Sequence, residues 1–499
     1  MNKLSILIKN NYISFSLFFI VIVGAILRFK GLTFEDHWLD ELYSADFSDP
    51  SRSFNSMLKV TLEDVHPPLY QTLLWVWYKV FGFTEYAGRS LSAIIGSLGV
   101  ITIYFLGKEL FNKYVGLYAA LLASVNIFLI HYSQEVRSYE LFFLLTMLSY
   151  MYLYKVMQNP NKTNVMLYWL VTILLFYTHY LSFFIVATQL VVIVFYIFIF
   201  SENKKQLFSI SLWTSGIFIL SILPLVPYIL ATAQGDGLSW ITTKPSPFYF
   251  IGYFIGYFGK NALLIFLGGV ISLIYLLKGT LSCKEKFSLL LLLIWISVGY
   301  FLPYLKSILS SPMLSIRYSI GMLAPIILIA SYGLLKLKYR MGYFILVIYV
   351  IYSFKLLYFN YYFNIGKDQY REVLKEIVKY QTIPIYERIP YNGQHGNFTN
   401  HYQIYAKMLK LNMNIQSDIQ LTEDSINANL PECFWVLDAN FNTKIIPVNN
   451  IIEKSEIIKN SDINIVKKIN YKGAEGVLIS YKVEPNICAK IVGLQKSTD

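Results

Sequence analysis

Charged side chains are scarce in this chain. Asp, Glu, Lys and Arg make up 14% of its 499 residues, whereas 56% are hydrophobic and 17% are aromatic. Average soluble domains carry about 25% charged residues. The shortage excludes an ordinary soluble protein, and the excess of apolar residues predicts a membrane protein with many transmembrane helices.

Cysteine is rarer still, with three residues in the whole chain. Cys283 stands alone in a short loop, while Cys433 and Cys488 both lie in the polar C-terminal part, where they can form one disulfide. Three separated cysteines are too few for a metal cluster, and they argue against redox chemistry.

Other absences narrow the class further. The net charge is +12, but the Lys residues are dispersed in short loops and form no basic stripe, which argues against nucleic acid as a partner. No small-residue cleavage pattern follows the first apolar run, so we expect this run to remain as a membrane span. The sequence has no internal repeat, which counts against transporter folds built from repeats.

Long apolar runs occur throughout the first three quarters of the chain. A spanning helix needs roughly 20 residues. Eleven runs approach that length, at residues 11–31, 87–107, 114–131, 138–156, 165–180, 181–200, 207–231, 260–278, 287–305, 316–335 and 341–360. We therefore predict about 11 transmembrane helices.

A shorter run, Pro67–Phe81, decides the orientation. It begins with two prolines and carries Gln71 and Lys79. If this run does not span, the Lys-rich loops between the other runs all lie on one side of the membrane, as cytoplasmic loops do. We therefore predict a cytoplasmic N-terminus and an amphipathic helix over Pro67–Phe81 on the outer surface. Its Trp75, Trp77 and Tyr78 would lie in the interfacial belt.

This topology brings the rare polar residues of the apolar region to the outer face. Convergence of such groups on one face is what an active site needs. The residues are Asp40, Glu41, Asp64, His66, Arg137, His179 and Arg317.

After residue 360 the composition changes, with Asn, Lys, Glu and Asp becoming frequent and no further run long enough to span. Helical spacing occurs at 367–380 and 399–411, and strand-like runs occur at 383–386, 434–437 and 476–481. We predict a small soluble α/β domain on the outer face.

Two pairs of polar residues lie in the first outer loop. Asp40-Glu41 fits either a solvated helix start, stabilised by the helix dipole, or a general base or metal ligand beside a cavity. Asp64 and His66 precede two prolines that fix an extended entry to the next helix. His66 could donate to a phosphate or a substrate hydroxyl, or the joint could be structural only.

Arginine and histidine also occur next to predicted spans. Arg137 lies in a polar island between two apolar runs, where it could anchor lipid headgroups or bind a phosphate through its planar fork. Arg317, followed by Tyr318, is less expected at an outer helix end, and an anionic lipid phosphate would explain it. His179 separates two spans with almost no loop, a position that suits either a structural or a binding residue.

In their order, several short strings resemble the GT-C glycosyltransferases, and within that class the chain is most similar to the protein mannosyltransferase and lipid A aminoarabinose transferase branch. The resemblance is best from residue 20 to 190, thinner to 372 and weak beyond. The strings are Asp40-Glu41, His66-Pro67-Pro68-Leu69, Phe81-Gly82, Arg89, Gly107-Lys108, Ser133 to Tyr139, Arg317-Tyr318 and Asp368 to Arg371.

The resemblance implies a polytopic α-helical membrane protein of GT-C type. Its transmembrane glycosyltransferase domain would cover residues 1–362, with a first outer loop at 32–86, and an extracytoplasmic α/β domain would cover 363–499. Such enzymes move a sugar from a polyprenyl-phosphate carrier to a lipid, polysaccharide or protein acceptor at the outer face of the plasma membrane. The Lys-, Asn- and Ile-rich usage suggests an AT-rich microbial genome, so the carrier would be undecaprenyl phosphate in a bacterium or dolichyl phosphate in an archaeon.

The resemblance also implies roles for residues. Asp40 aligns with the catalytic base, and Glu41 completes the pair. The candidates for binding the carrier phosphate and the sugar are His66, Arg137, Tyr139, His179, Arg317 and Tyr318. Some relatives use a divalent metal, for which Asp64 and Glu63 are the candidate ligands, although the sequence shows no cluster at metal-ligand spacing. The chain lacks the large central-loop domain of the eukaryotic mannosyltransferases, which makes a protein acceptor less secure.

A reading of a different class is a lipid or oligosaccharide flippase or transporter, in which the acids and arginines line a path. That reading predicts polar residues deep within several spans. Here the mid-span positions are almost all apolar and the polar residues collect at one face, which favours the enzyme.

Overall fold

The computed structural model describes residues 3–64, 66–234, 241, 243–380, 383–388, 401–419, 431–439, 463–472, 474–481 and 483–491. The chain divides into two compact units. The helical unit consists of Met1–Lys30, Ser51–Val76 and Arg89–Phe363. The sheet unit consists of Gly31–Pro50, Trp77–Gly88 and Asn364–Asp499.

Helices account for most of the chain before the sheet. In chain order they are α1 (Lys3–Phe29), α2 (Leu39–Phe47), α3 (Phe54–Leu62), α4 (Leu69–Phe81), α5 (Glu85–Leu110), α6 (Lys113–Ser124), α7 (Ile127–Ser133), α8 (Tyr139–Gln158), α9 (Lys162–Phe176), α10 (Ser182–Ile199), α11 (Lys204–Ile222), α12 (Val226–Gln234), α13 (Tyr249–Phe258), α14 (Ala262–Leu277), α15 (Cys283–Leu309), α16 (Leu323–Lys336) and α17 (Tyr339–Leu356). A 3₁₀ segment, Ile316–Met322, precedes α16.

The prediction of a polytopic helical membrane protein is confirmed, and most of the predicted spans correspond to long apolar helices. Among the described residues, nine helical stretches are long and apolar enough to cross a membrane, or ten if α6 and α7 form one span. The run predicted at 165–180 forms α9, whose 15 residues are short for a span. The run predicted at 114–131 divides into α6 and α7, which are bent by 64°.

Asn126 lies at this bend and explains how a break can exist among apolar helices. Its side-chain oxygen accepts from Leu129 N at 3.0 Å, and its amide donates to Tyr257 O at 3.0 Å. Backbone polar groups freed by a break in the bilayer need such partners. The broken helix therefore has its own internal and interhelical hydrogen bonds.

Some mid-span polar residues are also present in the helical unit. Gln189 is fully buried; it accepts from the Tyr168 hydroxyl at 3.0 Å and donates to Ser149 Oγ at 2.7 Å. These bonds join α8, α9 and α10. Interhelical hydrogen bonds of this kind stabilise helix packing in membranes.

The helix predicted over the run Pro67–Phe81 is α4, which covers Leu69–Phe81. It has 13 residues, fewer than a span needs. Leu73, Val76 and Val80 are exposed along it. An amphipathic helix with such an apolar face is suited to the membrane surface, and that position remains a prediction.

The sheet unit contains five described strands and three further helices. They are β1 (Ile385–Arg388), β2 (Ile415–Ile419), β3 (Cys433–Ala439), β4 (Ile463–Tyr471), β5 (Ala474–Tyr481), α18 (Tyr370–Ile377), α19 (His401–Met408) and α20 (Pro485–Ile491). The strands form one sheet of order β2-β1-β3-β5-β4. Strand β1 pairs parallel with β2 and β3, whereas β5 pairs antiparallel with β3 and β4.

The prediction of a small C-terminal α/β domain is confirmed. The three strand-like runs correspond to β1, β3 and β5, and the two helical runs to α18 and α19, with residues 399 and 400 outside the described residues. The Cys433–Cys488 disulfide joins β3 to α20.

Candidate active site

Three polar side chains form a hydrogen-bonded series in the helical unit. Asp64 Oδ2 lies 2.6 Å from His66 Nδ1, and His66 Nε2 lies 2.7 Å from Arg137 Nη2. A guanidinium can only donate, so His66 Nε2 must accept and the proton of the neutral ring lies on Nδ1, where it is donated to Asp64. The series therefore orients the Arg137 guanidinium.

Arg137 itself is buried, with 5% of its surface exposed. It lies in the loop between α7 and α8, which is held from within the helical unit by Gln134. The Gln134 amide donates to the carbonyls of Leu27, Arg28 and Lys30 at 3.3, 2.9 and 2.8 Å. A buried arginine on a fixed loop is suited to bind an anion in a defined position.

His179 lies in the connection between α9 and α10, close to the other basic residues. Burial lowers the pKa of His179 to about 3, and the positive charges of Arg137 and Arg317 lower it further. Its Nδ1 accepts from Leu181 N at 3.2 Å, so the neutral ring carries its proton on Nε2. His179 is therefore a neutral hydrogen-bond donor beside positively charged groups.

Aromatic rings surround these basic groups. The His179 ring lies 5.5 Å from the Tyr318 ring and 6.4 Å from the Tyr139 ring. The Arg137 guanidinium lies 5.8 Å from the Tyr139 ring, and that of Arg317 lies 5.5 Å from the Tyr318 ring. The structure thus brings together six of the predicted residues, which we call the basic cluster. Its members are His66, Arg137, Tyr139, His179, Arg317 and Tyr318.

The candidate metal ligands have different surroundings. Asp64 binds His66, as described, whereas Glu63 is 59% exposed and lies 3.9 Å from Lys59. Within the part of the chain that the structure describes, no group of three or more His, Cys, Asp or Glu side chains could hold a metal ion.

Asp40 and Glu41 belong to the sheet unit, where they occupy the first turn of α2. The Glu41 side chain is fully buried. Its Oε2 accepts from Lys367 Nζ at 2.8 Å and from Trp38 N at 3.3 Å, and its Oε1 lies 3.5 Å from His37 Nδ1. Asp40 is half-buried. The two adjacent acids therefore differ in environment, which their sequence did not indicate.

Arg371 organises the segment that leads into α2. Its Nη1 donates to Glu85 Oε2 at 2.7 Å and to Thr33 O at 2.9 Å, and its Nη2 lies 3.0 Å from Asp36 Oδ1. Burial raises the pKa of Asp36 to about 7, although the charge of Arg371 opposes the shift. The Tyr405 hydroxyl donates to Glu85 Oε1 at 2.9 Å and accepts from His37 N.

Sequence reasoning missed Lys367, Glu85 and Tyr405 as partners of the acidic segment. Arg371 was part of a string that resembled the family, but its partners were not identified. These residues are distant in sequence from residues 33–41, so a local pattern could not reveal them. A signal was present only for Arg371, which lies just after the last apolar run.

Comparisons with known proteins give a family match over part of the chain and a shared fold. Residues 65–229 match the family described as dolichyl-phosphate-mannose-protein mannosyltransferase. No curated protein matches the chain.

Several solved structures share the fold. ArnT from Cupriavidus metallidurans in the apo state has a TM-score of 0.60 at 11% identity, covering 92% of this chain and 97% of its own. ArnT bound to undecaprenyl phosphate gives 0.58 at the same identity and coverage. The oligosaccharyltransferase AglB from Archaeoglobus fulgidus, in complex with an inhibitory peptide and a dolichol-phosphate, gives 0.57 at 12% identity, covering 87% of this chain and 70% of its own. The family match and the shared fold together place the chain among proteins of the GT-C glycosyltransferase fold.

Proposed function

We propose that the chain is a glycosyltransferase that moves a sugar from a polyprenyl-phosphate carrier to an acceptor at the outer face of the plasma membrane. The observation that carries this proposal is the buried Arg137 guanidinium, oriented by His66 and Asp64. Both Arg137 and His66 lie inside the range that matches the mannosyltransferase family.

The chemistry of sugar transfer explains the basic cluster. When the bond between the sugar and the carrier phosphate breaks, negative charge grows on the phosphate. Arg137 and Arg317 would bind that charge, and the neutral His179 would donate a hydrogen bond without adding a charge of its own. Tyr139 and Tyr318 would contact the sugar or the phosphate.

Asp40 is the residue that we assign as the general base. It would take the proton of the acceptor hydroxyl as the new glycosidic bond forms. Glu41 is a poorer candidate for this role because its carboxylate is buried and bound to Lys367. If the acceptor is itself a phosphate, Asp40 would orient it instead.

Two features support an extracytoplasmic position of the sheet unit. Disulfides persist in oxidising compartments, and Cys433 and Cys488 form one. The Lys-rich loops of the helical unit independently predict the orientation that leaves residue 363 onward outside the cell. The carrier is assigned as a polyprenyl phosphate because ArnT and AglB were solved with undecaprenyl phosphate and a dolichol-phosphate.

The direct test is an Asp40→Asn variant in lipid nanodiscs. Wild-type and variant protein would be incubated with dolichyl-phosphate mannose, undecaprenyl-phosphate mannose or undecaprenyl-phosphate glucose, and with cell-envelope fractions as the source of lipid, polysaccharide and protein acceptors. Loss of the base predicts a fall in transfer of about 10²- to 10⁴-fold, with normal insertion into the membrane. The matched control is Asp46→Asn, on the same helix.

Wild-type turnover in the Asp40→Asn variant would refute the assigned base. In sealed proteoliposomes, movement of a labelled carrier lipid across the membrane without release of the polyprenyl phosphate would favour a flippase. The acceptor class follows from which envelope fraction becomes labelled.

A further inference from the structure

The segment Gly366–Arg371, in the sheet unit, holds the chain that leads into α2. It binds four consecutive residues, Thr33 to Asp36, and then Glu41. Arg371 binds the carbonyls of Thr33 and Phe34 and the side chain of Asp36, and the backbone N–H groups of Gly366 and Lys367 donate to Glu35. Tyr405 adds a bond to the His37 backbone.

Lys367 makes the last of these contacts along the chain. Its side chain is 12% exposed and that of Glu41 is fully buried, and their polar atoms lie 2.8 Å apart. A buried carboxylate requires a charged partner, and removing one partner from a buried pair leaves an uncompensated charge. Lys367 is therefore a charged partner of the buried Glu41 carboxylate.

We infer that Lys367 is a positioning residue that holds the first turn of α2 through Glu41, and thereby holds Asp40 at the orientation that proton transfer requires. The inference rests on the proposed function, because it takes Asp40 as the base. Asp40 and Glu41 are adjacent residues of one helical turn, so a shift of the Glu41 backbone also moves Asp40. A misplacement of about 1 Å can cost about 10²-fold in rate.

The inference also assigns different roles to Asp40 and Glu41. Asp40 takes the proton of the acceptor, and Glu41 holds the first turn of α2 to the segment that follows the last span. Because the tie acts on the base and not on the carrier phosphate, its loss should lower kcat and leave the KM of the donor unchanged.

The test compares Lys367→Met, Lys367→Arg and the double variant Lys367→Met/Glu41→Gln with wild type in nanodiscs, using dolichyl-phosphate mannose and undecaprenyl-phosphate mannose as donors. The control is Lys379→Met, because Lys379 is 61% exposed and pairs with Glu376 on the surface. Thermal unfolding is measured for every variant.

We expect Lys367→Met to lower kcat by about 10- to 100-fold at unchanged donor KM, and Lys367→Arg to restore most of it. The double variant removes the unpaired charge, so its unfolding temperature should rise above that of Lys367→Met while its kcat stays low. This separation of stability from turnover is the signature of a positioning role.

Wild-type kcat in Lys367→Met, with Asp40→Asn inactive, would overturn the inference and leave the proposed function intact. If Lys367→Met does not fold, the double variant decides, and wild-type kcat there would likewise overturn it. A rise in donor KM in step with the fall in kcat would show general loss of structure and would also refute it. Wild-type turnover in Asp40→Asn would refute the assigned base and this inference with it, whereas absence of sugar transfer by the wild-type protein would refute the proposed function.

Discussion

Two buried arginines of the helical unit show how the surroundings of a side chain distinguish a structural role from the phosphate-binding role that we propose for Arg137. Arg28 is 1% exposed and donates to the carbonyls of Gly24, Ser124 and Ala123 at 3.0, 3.0 and 3.2 Å. These main-chain acceptors make Arg28 a link between helices. Arg137 instead follows Asp64 and His66 in a series of side chains, an arrangement that orients a cation.

At this scale the first prediction concerns Arg137. Arg137→Met should raise the donor KM by about 10- to 100-fold, because a charge-assisted hydrogen bond to phosphate contributes about 1.5–3 kcal/mol. Asp64→Asn should cost less, because it leaves the guanidinium in place and weakens only its orientation. The measurement is the donor KM with undecaprenyl-phosphate mannose, together with the affinity for undecaprenyl phosphate alone.

The control for this series is Lys59→Met, which removes an exposed cation paired with Glu63 on the surface of the same unit. Equal donor KM values for wild type and Arg137→Met would exclude Arg137 from phosphate binding. A larger rise in donor KM in Asp64→Asn than in Arg137→Met would contradict the idea that Asp64 acts only by orienting the Arg137 guanidinium.

At the scale of the element, the bend between α6 and α7 carries a second prediction. Asn126 is 1% exposed and caps α7 while its amide donates to Tyr257 O. Asn126→Ala should lower the free energy of unfolding by about 1–3 kcal/mol, since it removes the cap and leaves buried groups without partners. Asn126→Asp keeps the capping oxygen and loses the amide donor, so its free energy of unfolding should lie between those of wild type and Asn126→Ala.

Thermal unfolding in detergent measures these differences. The matched control is Asn112→Ala, which removes the cap of α6 but at exposed Asn112. A cost at Asn126 no greater than at Asn112 would show that the bend does not depend on the Asn126 side chain.

The elements also show what the sequence can and cannot predict. Apolar runs located the helices, because burial in lipid or protein requires apolar side chains along the whole length. They did not locate the bend at Asn126, because apolar residues continue across 114–131. The residue that Asn126 binds, Tyr257, lies on a helix that is distant in sequence. Strands β1, β3 and β5 were predicted from local β-rich runs, whereas their order in the sheet depends on long-range pairing.

At the scale of the whole molecule, the candidate residues separate into the two units. The sequence identified the members of the basic cluster and the acid pair, because charged residues are conspicuous in an apolar chain. It could not show that Glu41 binds Lys367, which lies 326 positions later. Nor could it show that residues 31–50 group with the C-terminal residues in one unit. Both facts depend on packing between distant segments, for which local spacing gives no signal.

The orientation of the molecule in the membrane can be tested at the two ends of one helix. Helix α15 begins at Cys283 and ends at Leu309, and its 27 residues reach about 40 Å, enough to cross a bilayer. Cys283 is an exposed free thiol at the end of α15 that we predict to be cytoplasmic. In intact cells a membrane-impermeant maleimide should therefore label Cys283 only after the membrane is opened. In the variant Cys283→Ser/Ser310→Cys, the thiol at exposed Ser310 should react in intact cells. The reverse pattern would invert the topology and place Asp40 on the cytoplasmic side, where the disulfide of the sheet unit would not be expected to persist.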